Sequence, residues 1–265
     1  MDESMKDRHP EHERLLGEVR AWFTSTYPEL GYVVERRRFG FYRRNTENPE
    51  LRLVVIDSMA PGDAPEFVAD AREYFDNHDV EIWIEGRDLD AKLGPALVAA
   101  GCAKERANVS LAFVGTPPEP VPMAGITVEA VTPETLRDYA VTKLKGFANS
   151  EAEPTAEQLD YELAIRKSEI ASIGRLIVAR VGKEPASILG YHDGPDRSIF
   201  NLATRTPFRN RGIAKYLLCR VLADSFDRGC RSVIIGTDPD DTPILLYRRL
   251  GFTDEIYWRR GYMLI

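Results

Sequence analysis

The stretch Arg209-Asn-Arg-Gly-Ile-Ala214 lies between an apolar, strand-like run, Ser198 to Thr204, and an amphipathic helical pattern that begins near Gly212. A glycine at the start of a helix lets the backbone approach a ligand, and the free N–H groups of the first turn attract anions. Arg209, Arg211 and Lys215 add positive charge at the same place. The stretch therefore predicts a phosphate-binding turn between a strand and a helix.

A second motif follows the helix. An apolar strand, Arg231 to Gly236, leads to an acidic turn, Thr237 to Asp241, and then to Leu246-Tyr-Arg-Arg-Leu-Gly-Phe252. Together with the Arg209-x-x-Gly212-x-Ala214 loop, this order of motifs resembles the GNAT superfamily of acyl-CoA-dependent N-acetyltransferases. The resemblance extends over about residues 125 to 265, and its sharpest motifs lie after residue 198.

The resemblance implies acetyl-CoA as cosubstrate. The pyrophosphate would lie on the loop and the first helical turn, and the pantetheine arm would pair with the preceding strand like an added strand. Asp240 stands where the family often has an asparagine that contacts the cofactor, so its role is an open question. The implied cofactor-binding residues are Leu202, Ala203, Thr204, Arg209, Asn210, Arg211, Gly212, Ile213, Ala214, Lys215 and Asp240.

Acyl transfer to an amine needs one group that accepts a proton from nitrogen and another that returns a proton to sulfur. Tyr247 is the expected general acid because the pKa of a phenol, near 10, is close to that of an alkyl thiol; a core tyrosine is the alternative. Many relatives place a glutamate on the fourth strand, but Ser198 to Thr204 has no carboxylate. Asn201 can order a water, and His192 with Asp193 are candidates for a water-relayed base, with turn formation as their alternative role.

The acceptor side is expected to be acidic. In relatives the acceptor enters between the first two helices and the loop that joins the last two strands, which here read Asn149-Ser-Glu-Ala-Glu153 and Thr253-Asp-Glu255. These segments predict a small cationic amine as acceptor, and solvated charged loops are the alternative explanation. The acceptor-side candidates are Glu151, Glu153, Asp254 and Glu255.

Charge and composition divide the chain into two modules. The net charge is -7, and the whole acidic excess lies in the first half. The segment Gly115-Thr-Pro-Pro-Glu-Pro-Val-Pro-Met-Ala-Gly125 is rich in proline and glycine, which favours an extended connector. We therefore expect one domain over residues 1–118 and a catalytic domain over residues 119–265.

The catalytic module has the element order of an α/β (α+β) fold. A strand from Ile126 to Val131 is followed by two helices, one beginning near Pro133 and one after Pro154. Three strand-like runs then form an antiparallel meander before the helix that follows Gly212. The expected architecture is a mixed, mostly antiparallel sheet flanked by helices.

The first module resembles a second copy of the same fold. A shift of 150 residues aligns Leu51 to Val114 without a gap, so that Gly62 falls on Gly212, Ala64 on Ala214 and Gly101 on Gly251. The cofactor residues are absent from this copy, because Arg209, Arg211, Ile213 and Tyr247 face Met59, Pro61, Asp63 and Leu97. We expect tandem GNAT-like domains with a degenerate N-terminal copy; two unrelated α/β modules are the alternative.

Other features limit the classes of function. The chain of 265 residues has no apolar run long enough to cross a membrane, and Met1 to Glu13 is charged, so no secretory signal is expected. Cys102, Cys219 and Cys230 are too scattered for a disulfide framework or a metal site, which fits the cytoplasm and no metal cofactor. The basic run Arg36-Arg-Arg38 is better explained by a strand hairpin than by nucleic-acid binding.

The sequence thus predicts an N-acetyltransferase, an acyl-CoA-dependent N-acyltransferase of the EC 2.3.1 type. It would acetylate a small-molecule amine by direct attack in a ternary complex. A non-catalytic acyl-CoA-binding sensor is the alternative. A nucleotide-binding P-loop is excluded because Gly-Lys-Ser/Thr is absent. The sequence leaves the oligomeric state open, with a homodimer as one alternative.

Overall fold

A computed structural model describes residues 32–46, 49–171 and 174–265. The chain forms two compact units. The first contains the described residues up to Ser110 together with 237–241 and 255–265, and the second contains 111–236 and 242–254. The contacts place the C-terminal segment with the first unit, and the predicted boundary between residues 118 and 119 stays a prediction. The charged segment Met1 to Glu13 lies outside the described residues.

The first unit is a mixed sheet with two helices. Its elements are β1 (Tyr32–Arg36), β2 (Gly40–Asn45), β3 (Leu53–Ile56), a short 3-10 helix (Pro61–Asp63), α1 (Ala64–Tyr74), β4 (Val80–Glu85), α2 (Arg87–Ala99) and most of β5 (Ala103–Phe113). The strands β1, β2 and β3 are consecutive antiparallel neighbours, whereas β4 is parallel to β3 because α1 connects them.

The C-terminal strand completes this sheet. Residues 259–264 of β11 (Phe252–Leu264) pair antiparallel with β4. Tyr262 and Leu264 on this strand are buried in the core beneath the two helices, against Phe67, Leu93 and Leu97. Burial of this much apolar surface is the main stabilising contribution to the unit.

The second unit repeats this plan with two added helices. Its elements are β6 (Ile126–Ala130), α3 (Leu136–Ala148), α4 (Ala156–Ala171), β7 (Gly174–Val181), β8 (Glu184–His192), β9 (Asp196–Thr204), a 3-10 helix (Thr206–Phe208), α5 (Ile213–Asp227), β10 (Ser232–Thr237), α6 (Pro243–Leu250) and the start of β11. The strands β6 to β9 form an antiparallel series, and β10 is parallel to β9. The predicted meander and the mixed sheet flanked by helices are confirmed.

Helices α3 and α4 cover one face of this sheet. Leu136 and Tyr139 from α3 lie in a buried cluster with Val178, Ile188 and Ala203 from three neighbouring strands. The helix α3 begins at Leu136, three residues later than Pro133 suggests, because residues 132–135 form a turn in which the Thr132 N–H donates to the Thr135 hydroxyl. Helix α4 begins after Pro154 as predicted.

The two units share an order of elements. In each, three antiparallel strands are followed by a 3-10 helix, a crossover helix, a parallel strand and a second helix. Gly101 and Gly251, which the sequence alignment matches, both follow this second helix and have φ of +100° and +105°. The molecule therefore has a tandem arrangement of one fold.

Candidate functional site

The N-terminus of α5 presents free backbone donors to solvent. Asn210 and Gly212 have φ of +60° and +79°, so the turn before the helix is left-handed at two positions. Among the residues that the structure describes, no side chain caps this N-terminus, and the first turn contains no acidic residue. The exposed turn and the amides of Ile213, Ala214 and Lys215 thus have the geometry and the partial positive charge of an anion site.

The two arginines of this turn donate hydrogen bonds to backbone carbonyls. The Arg209 guanidinium donates from Nε to the Thr204 carbonyl at 2.9 Å and from Nη2 to the Gly146 carbonyl at 2.7 Å. Arg211 donates to the Pro207 carbonyl at 2.9 Å. Arg209 therefore ties the C-terminal end of α3 to the end of β9 and to the turn itself, while its exposed charge stays beside the helix N-terminus.

The strand β9 has an open edge next to this turn. Its pairs with β10 join residues 196–199 to 232–235, and no further pair joins the two strands among the described residues. On the other edge, β8 pairs with β9 as far as Thr204. The sequence predicts the strand, but it gives no sign of where the neighbouring strand leaves it.

A β-bulge lies at the point where the two strands part. Gly190 of β8 faces Asn201 and Tyr191 faces Ile199, so Phe200 is the extra residue in β9. A bulge bends its strand and increases the local twist. This bend explains why β10 follows β9 no further than Ile199.

The backbone of Leu202 faces the open edge. The Arg205 N–H donates to the Ala186 carbonyl of β8, whereas the Thr204 carbonyl points away from β8 and accepts from Arg209. Because backbone groups of successive strand residues alternate in direction, the N–H and C=O of Leu202 point the same way as the Thr204 carbonyl. An extended ligand can therefore pair with Leu202 and Thr204 as an added strand, while Ala203 turns its backbone toward β8.

Tyr247 is buried on α6 in the second unit. It lies on the inner face of the helix with Ile244 and Leu250, and its ring packs edge-on against Phe252, with 6.3 Å between ring centroids. Its side chain is held in one position by this packing, as a residue that delivers a proton to a fixed atom requires.

Asp240 has different surroundings. It is exposed and belongs to the first unit. Its N–H donates to the Asp238 carboxylate at 2.9 Å, and none of the described hydrogen bonds joins its side chain to the turn before α5.

The structure gives the two candidates for a water-relayed base different surroundings. The His192 ring is 8% exposed and stacks obliquely on Phe200, with ring centroids 4.5 Å apart. Burial, aided by the positive charge of Arg166, lowers the pKa of His192 to about 4. The Asp193 carboxylate forms an ion pair with the buried guanidinium of Arg197, at 3.0 Å from its Nε.

Three of the four acidic acceptor-side candidates lie beside basic groups. Glu151 accepts from Arg205 Nε at 2.9 Å, Glu153 from Lys145 at 2.6 Å, and Glu255 from Arg87 at 2.6 Å within the first unit. The Lys145 ammonium, through its hydrogen bond, holds the pKa of Glu153 below its usual range. Asp254 is half-buried at the start of β11.

A buried polar cluster beneath the bulge escaped the sequence analysis. We call it the α4 cluster; its residues are Lys143, Glu162, Arg166, Glu169, His192 and Asn201. The Asn201 amide, oriented to satisfy its neighbours, accepts from Arg166 Nη1 at 3.0 Å and donates to the Phe200 carbonyl at 3.0 Å. The signal for this cluster was the spacing of Glu162, Arg166 and Glu169, which places three ionisable groups on one helix face that packs on a sheet.

The equivalent turn in the first unit differs in its chemistry. The Asp63 carboxylate lies in the turn itself and accepts the Ala60 N–H at 2.9 Å. Pro61, at the start of the 3-10 helix, and Pro65, in the first turn of α1, each lack a backbone donor. Gly62 does not have the left-handed conformation of Gly212. A negative charge and two missing donors make this turn a poor anion site.

Among the described residues, no group of three or more His, Cys, Asp or Glu side chains could hold a metal ion. No helix in that part of the chain is long and apolar enough to span a membrane.

Most of the second unit matches a known family. Residues 139–252 match the model of the Acetyltransferase (GNAT) family. A GCN5-related N-acetyltransferase from Sphaerobacter thermophilus is 18% identical, with a TM-score of 0.64 over 88% of this chain and 75% of its own. A GCN5-related N-acetyltransferase from Kribbella flavida is 15% identical, with a TM-score of 0.62 over 94% of both chains.

A tandem protein also shares the fold. The tandem GNAT protein from the clavulanic acid biosynthesis pathway is 13% identical, with a TM-score of 0.61 over 94% of this chain and 87% of its own. These identities establish the fold alone. Residues 139–252 therefore match the GNAT acetyltransferase family, and the chain shares the fold of a tandem GNAT protein.

Proposed function

We propose that the protein is an acyl-CoA-dependent N-acyltransferase that moves an acetyl group from acetyl-CoA to a small amine. One observation carries the proposal: the open edge of β9 leads directly to the uncapped N-terminus of α5. A pantetheine arm needs an edge with free backbone groups, and a pyrophosphate needs amide donors and positive charge. Both are present in the second unit and adjoin one another.

The residues present fit this cosubstrate. Leu202 and Thr204 offer backbone groups to the extended arm, and Asn210, Gly212, Ile213 and Ala214 offer the turn and the first helical amides. The exposed side chains of Arg211 and Lys215 lie beside them. When bound, acetyl-CoA supplies an activated acyl group as a thioester.

The chain's own residues can meet two further requirements of the reaction. In the transfer a C–N bond forms and a C–S bond breaks, one proton leaves the amine nitrogen, and one proton reaches the thiolate. The Leu202 N–H points to the open edge, where it can donate to the thioester carbonyl as negative charge develops on oxygen. Tyr247 is the proposed donor of the proton to sulfur.

The cationic character of the acceptor rests on two exposed carboxylates. The side chains of Glu153 and Glu151 are 80% and 35% exposed, so each keeps oxygen atoms within reach of a ligand despite its basic partner. Because Lys145 and Arg205 neutralise part of this charge, we expect a modest preference for cationic over neutral amines.

The proposal is tested with a panel of cationic and neutral primary amines, each mixed with acetyl-CoA and the full chain, while free thiol is measured. An acyltransferase releases CoA in proportion to acetylated amine. The second candidate, a sensor that binds acyl-CoA without chemistry, binds acetyl-CoA and releases no thiol with any amine. The absence of a carboxylate from residues 198–204 of β9 keeps this candidate open.

Replacement of Tyr247 by phenylalanine tests the assignment of the general acid. The change removes the hydroxyl and keeps the ring that packs on Phe252. We expect kcat to fall by about 10²-fold, the usual range for loss of a general acid, with the affinity for CoA unchanged. Equal losses of CoA affinity and kcat would instead assign Tyr247 a purely structural role.

A further inference from the structure

Residues 198–204 of β9 have no carboxylate, and Asp196, at the start of the strand, lies in the part that pairs with β10, so the acceptor of the amine proton is expected on another element. The bulge at Phe200 and Asn201 marks the end of the open edge, and the α4 cluster lies directly beneath it. Arg166 connects the two, because its guanidinium contacts Asn201 and packs over the Phe200 ring at 5.5 Å.

Glu169 lies beside Gly174, the first residue of a row of paired residues that crosses β7, β8 and β9 toward the bulge. A Cβ built on Gly174 would lie 2.9 Å from the Glu169 Cβ, so α4 closes tightly on the start of β7. Gly174 pairs with His192, and His192 pairs with Ser198 of β9. Ser198 lies two residues before Phe200, and Arg166 links Glu169 to Asn201 at the bulge, because its guanidinium contacts both side chains.

The two carboxylates of the α4 cluster have different surroundings. Glu162 is almost completely buried, with Lys143 at 2.6 Å and Arg166 Nε at 2.9 Å. Glu169 forms an ion pair with Arg166, and 16% of its side chain remains exposed. A group that exchanges protons with a substrate and with solvent needs such exposure, so Glu162 fits a structural role and Glu169 a proton-transfer role.

Titratable groups on two helices face Glu169. These groups are Arg166 and Glu162 on α4, and Lys143 and Tyr139 on α3. Burial raises the pKa of Glu169 to about 7, and the opposing charge of Arg166 limits the rise. At neutral pH a substantial fraction of a carboxyl group with this pKa is ionised, and the ionised form still binds a proton well. His192, with a pKa of about 4, is a much weaker base.

We propose that Glu169 accepts, through one water molecule, the proton that the attacking amine releases. Arg166 and Asn201 position the Glu169 carboxylate. The proton passes from nitrogen to the water while the water gives a proton to the Glu169 carboxylate. The carboxyl group then loses that proton to solvent after the amide product leaves. This inference rests on the proposed acyltransferase function.

The test compares Glu169→Gln with the wild-type protein, using the best amine of the panel and acetyl-CoA between pH 5.5 and 9.5. We expect wild-type kcat to rise about tenfold per pH unit below pH 7 and to level off above it. In Glu169→Gln the levelling near pH 7 disappears, and kcat at pH 7 falls by about 10²-fold. CoA affinity, measured by calorimetry, stays within about twofold because Glu169 lies outside the proposed cofactor site.

Glu157→Gln is the matched control, because Glu157 is exposed in the first turn of the same helix; its profile should match the wild type. If Glu169→Gln does not fold, Glu169→Asp keeps the charge and should keep the levelling near pH 7 at lower kcat; its loss would overturn the inference. A Glu169→Gln profile like that of the wild type overturns the inference and leaves the acyltransferase function standing. If the wild type releases no CoA with any amine, both fall.

Discussion

At the scale of single residues, Arg209 shows what a motif can and cannot predict. Its place in the turn followed from Gly212 and the helix pattern, and the positive charge was expected to face a phosphate. In the structure the guanidinium also donates to the carbonyls of Thr204 and Gly146, and its exposed charge stays beside the helix N-terminus. Those partners lie on two other elements, so the contact depends on how α3 packs against β9, which local sequence does not specify.

His192 is predicted to make the protein acid-sensitive. Its pKa is lowered on folding to about 4, so between pH 6.5 and 4 the unfolded chain binds the proton more strongly than the folded protein. Stability from this group is present above pH 6.5 and is lost as pH falls, by up to about 3 kcal/mol. The wild type should therefore lose its stability advantage over His192→Gln as the pH falls. We expect the difference in free energy of unfolding between the two proteins to fall by this amount between pH 7 and pH 4.

Urea denaturation followed by circular dichroism measures this difference. The comparison with His192→Gln is needed because Glu169 acts in the opposite direction. Its pKa is raised to about 7, so the stability it contributes is present below about pH 4.5 and is lost as pH rises toward 7. His78→Gln, at an exposed position, is the control and should follow the wild type. If the difference in free energy of unfolding between wild type and His192→Gln stays constant across this pH range, His192 has the same pKa in the folded and unfolded states and the prediction is wrong.

At the scale of elements, the strand-like run Ser198 to Thr204 predicts β9 correctly, but no sequence pattern predicts the bulge. A bulge is set by which partner residues face the strand, and here Gly190 leaves room for it. A Cβ at Gly190 would lie 2.5 Å from the Phe200 ring and 2.6 Å from the Tyr139 hydroxyl. The identity of these neighbours depends on pairing and on α3, so no pattern within β9 reveals it.

Gly190→Ala is therefore expected to disturb the bulge. Because Tyr139 is fully buried and cannot move freely, the added methyl group must displace the Phe200 ring. We expect a loss of about 2 kcal/mol in the free energy of unfolding, and slower CoA release because the edge of β9 shifts. Urea denaturation and the thiol assay measure the two effects.

Gly194→Ala is the control for this change. It adds a methyl group in the turn after β8, where the nearest atom is 3.4 Å away. Its stability should remain within about 0.5 kcal/mol of the wild type. Equal stability of the two variants would contradict the tight packing at Gly190.

At the scale of the whole molecule, the sequence predicted the tandem fold from a shift of 150 residues and low identity. The matching left-handed glycines at Gly101 and Gly251 support that alignment. The membership of the compact units was not predicted, because residues 255–265 join the first unit through pairs between β11 and β4, which are far apart in the chain. Contacts at such sequence separation leave no local signal.

The difference between the turns of the two units predicts one cofactor site per chain. The turn of the second unit has two left-handed residues and an uncapped helix, whereas the turn of the first contains Asp63 and lacks two donors. Backbone geometry thus distinguishes the copies as clearly as the missing arginines do. The central claim is that the turn before α5 is the only acetyl-CoA site that the described residues provide.

Calorimetric titration with CoA tests this claim most directly, using the wild type, Gly212→Ala and Gly182→Ala. Alanine at either glycine imposes a left-handed strain of about 1–2 kcal/mol, since φ is +79° at Gly212 and +61° at Gly182. Gly182 lies in the turn between β7 and β8. We predict one CoA per wild-type chain, affinity at least tenfold weaker in Gly212→Ala, and unchanged affinity in Gly182→Ala. Two sites per chain, or equal affinity in all three proteins, would contradict the account.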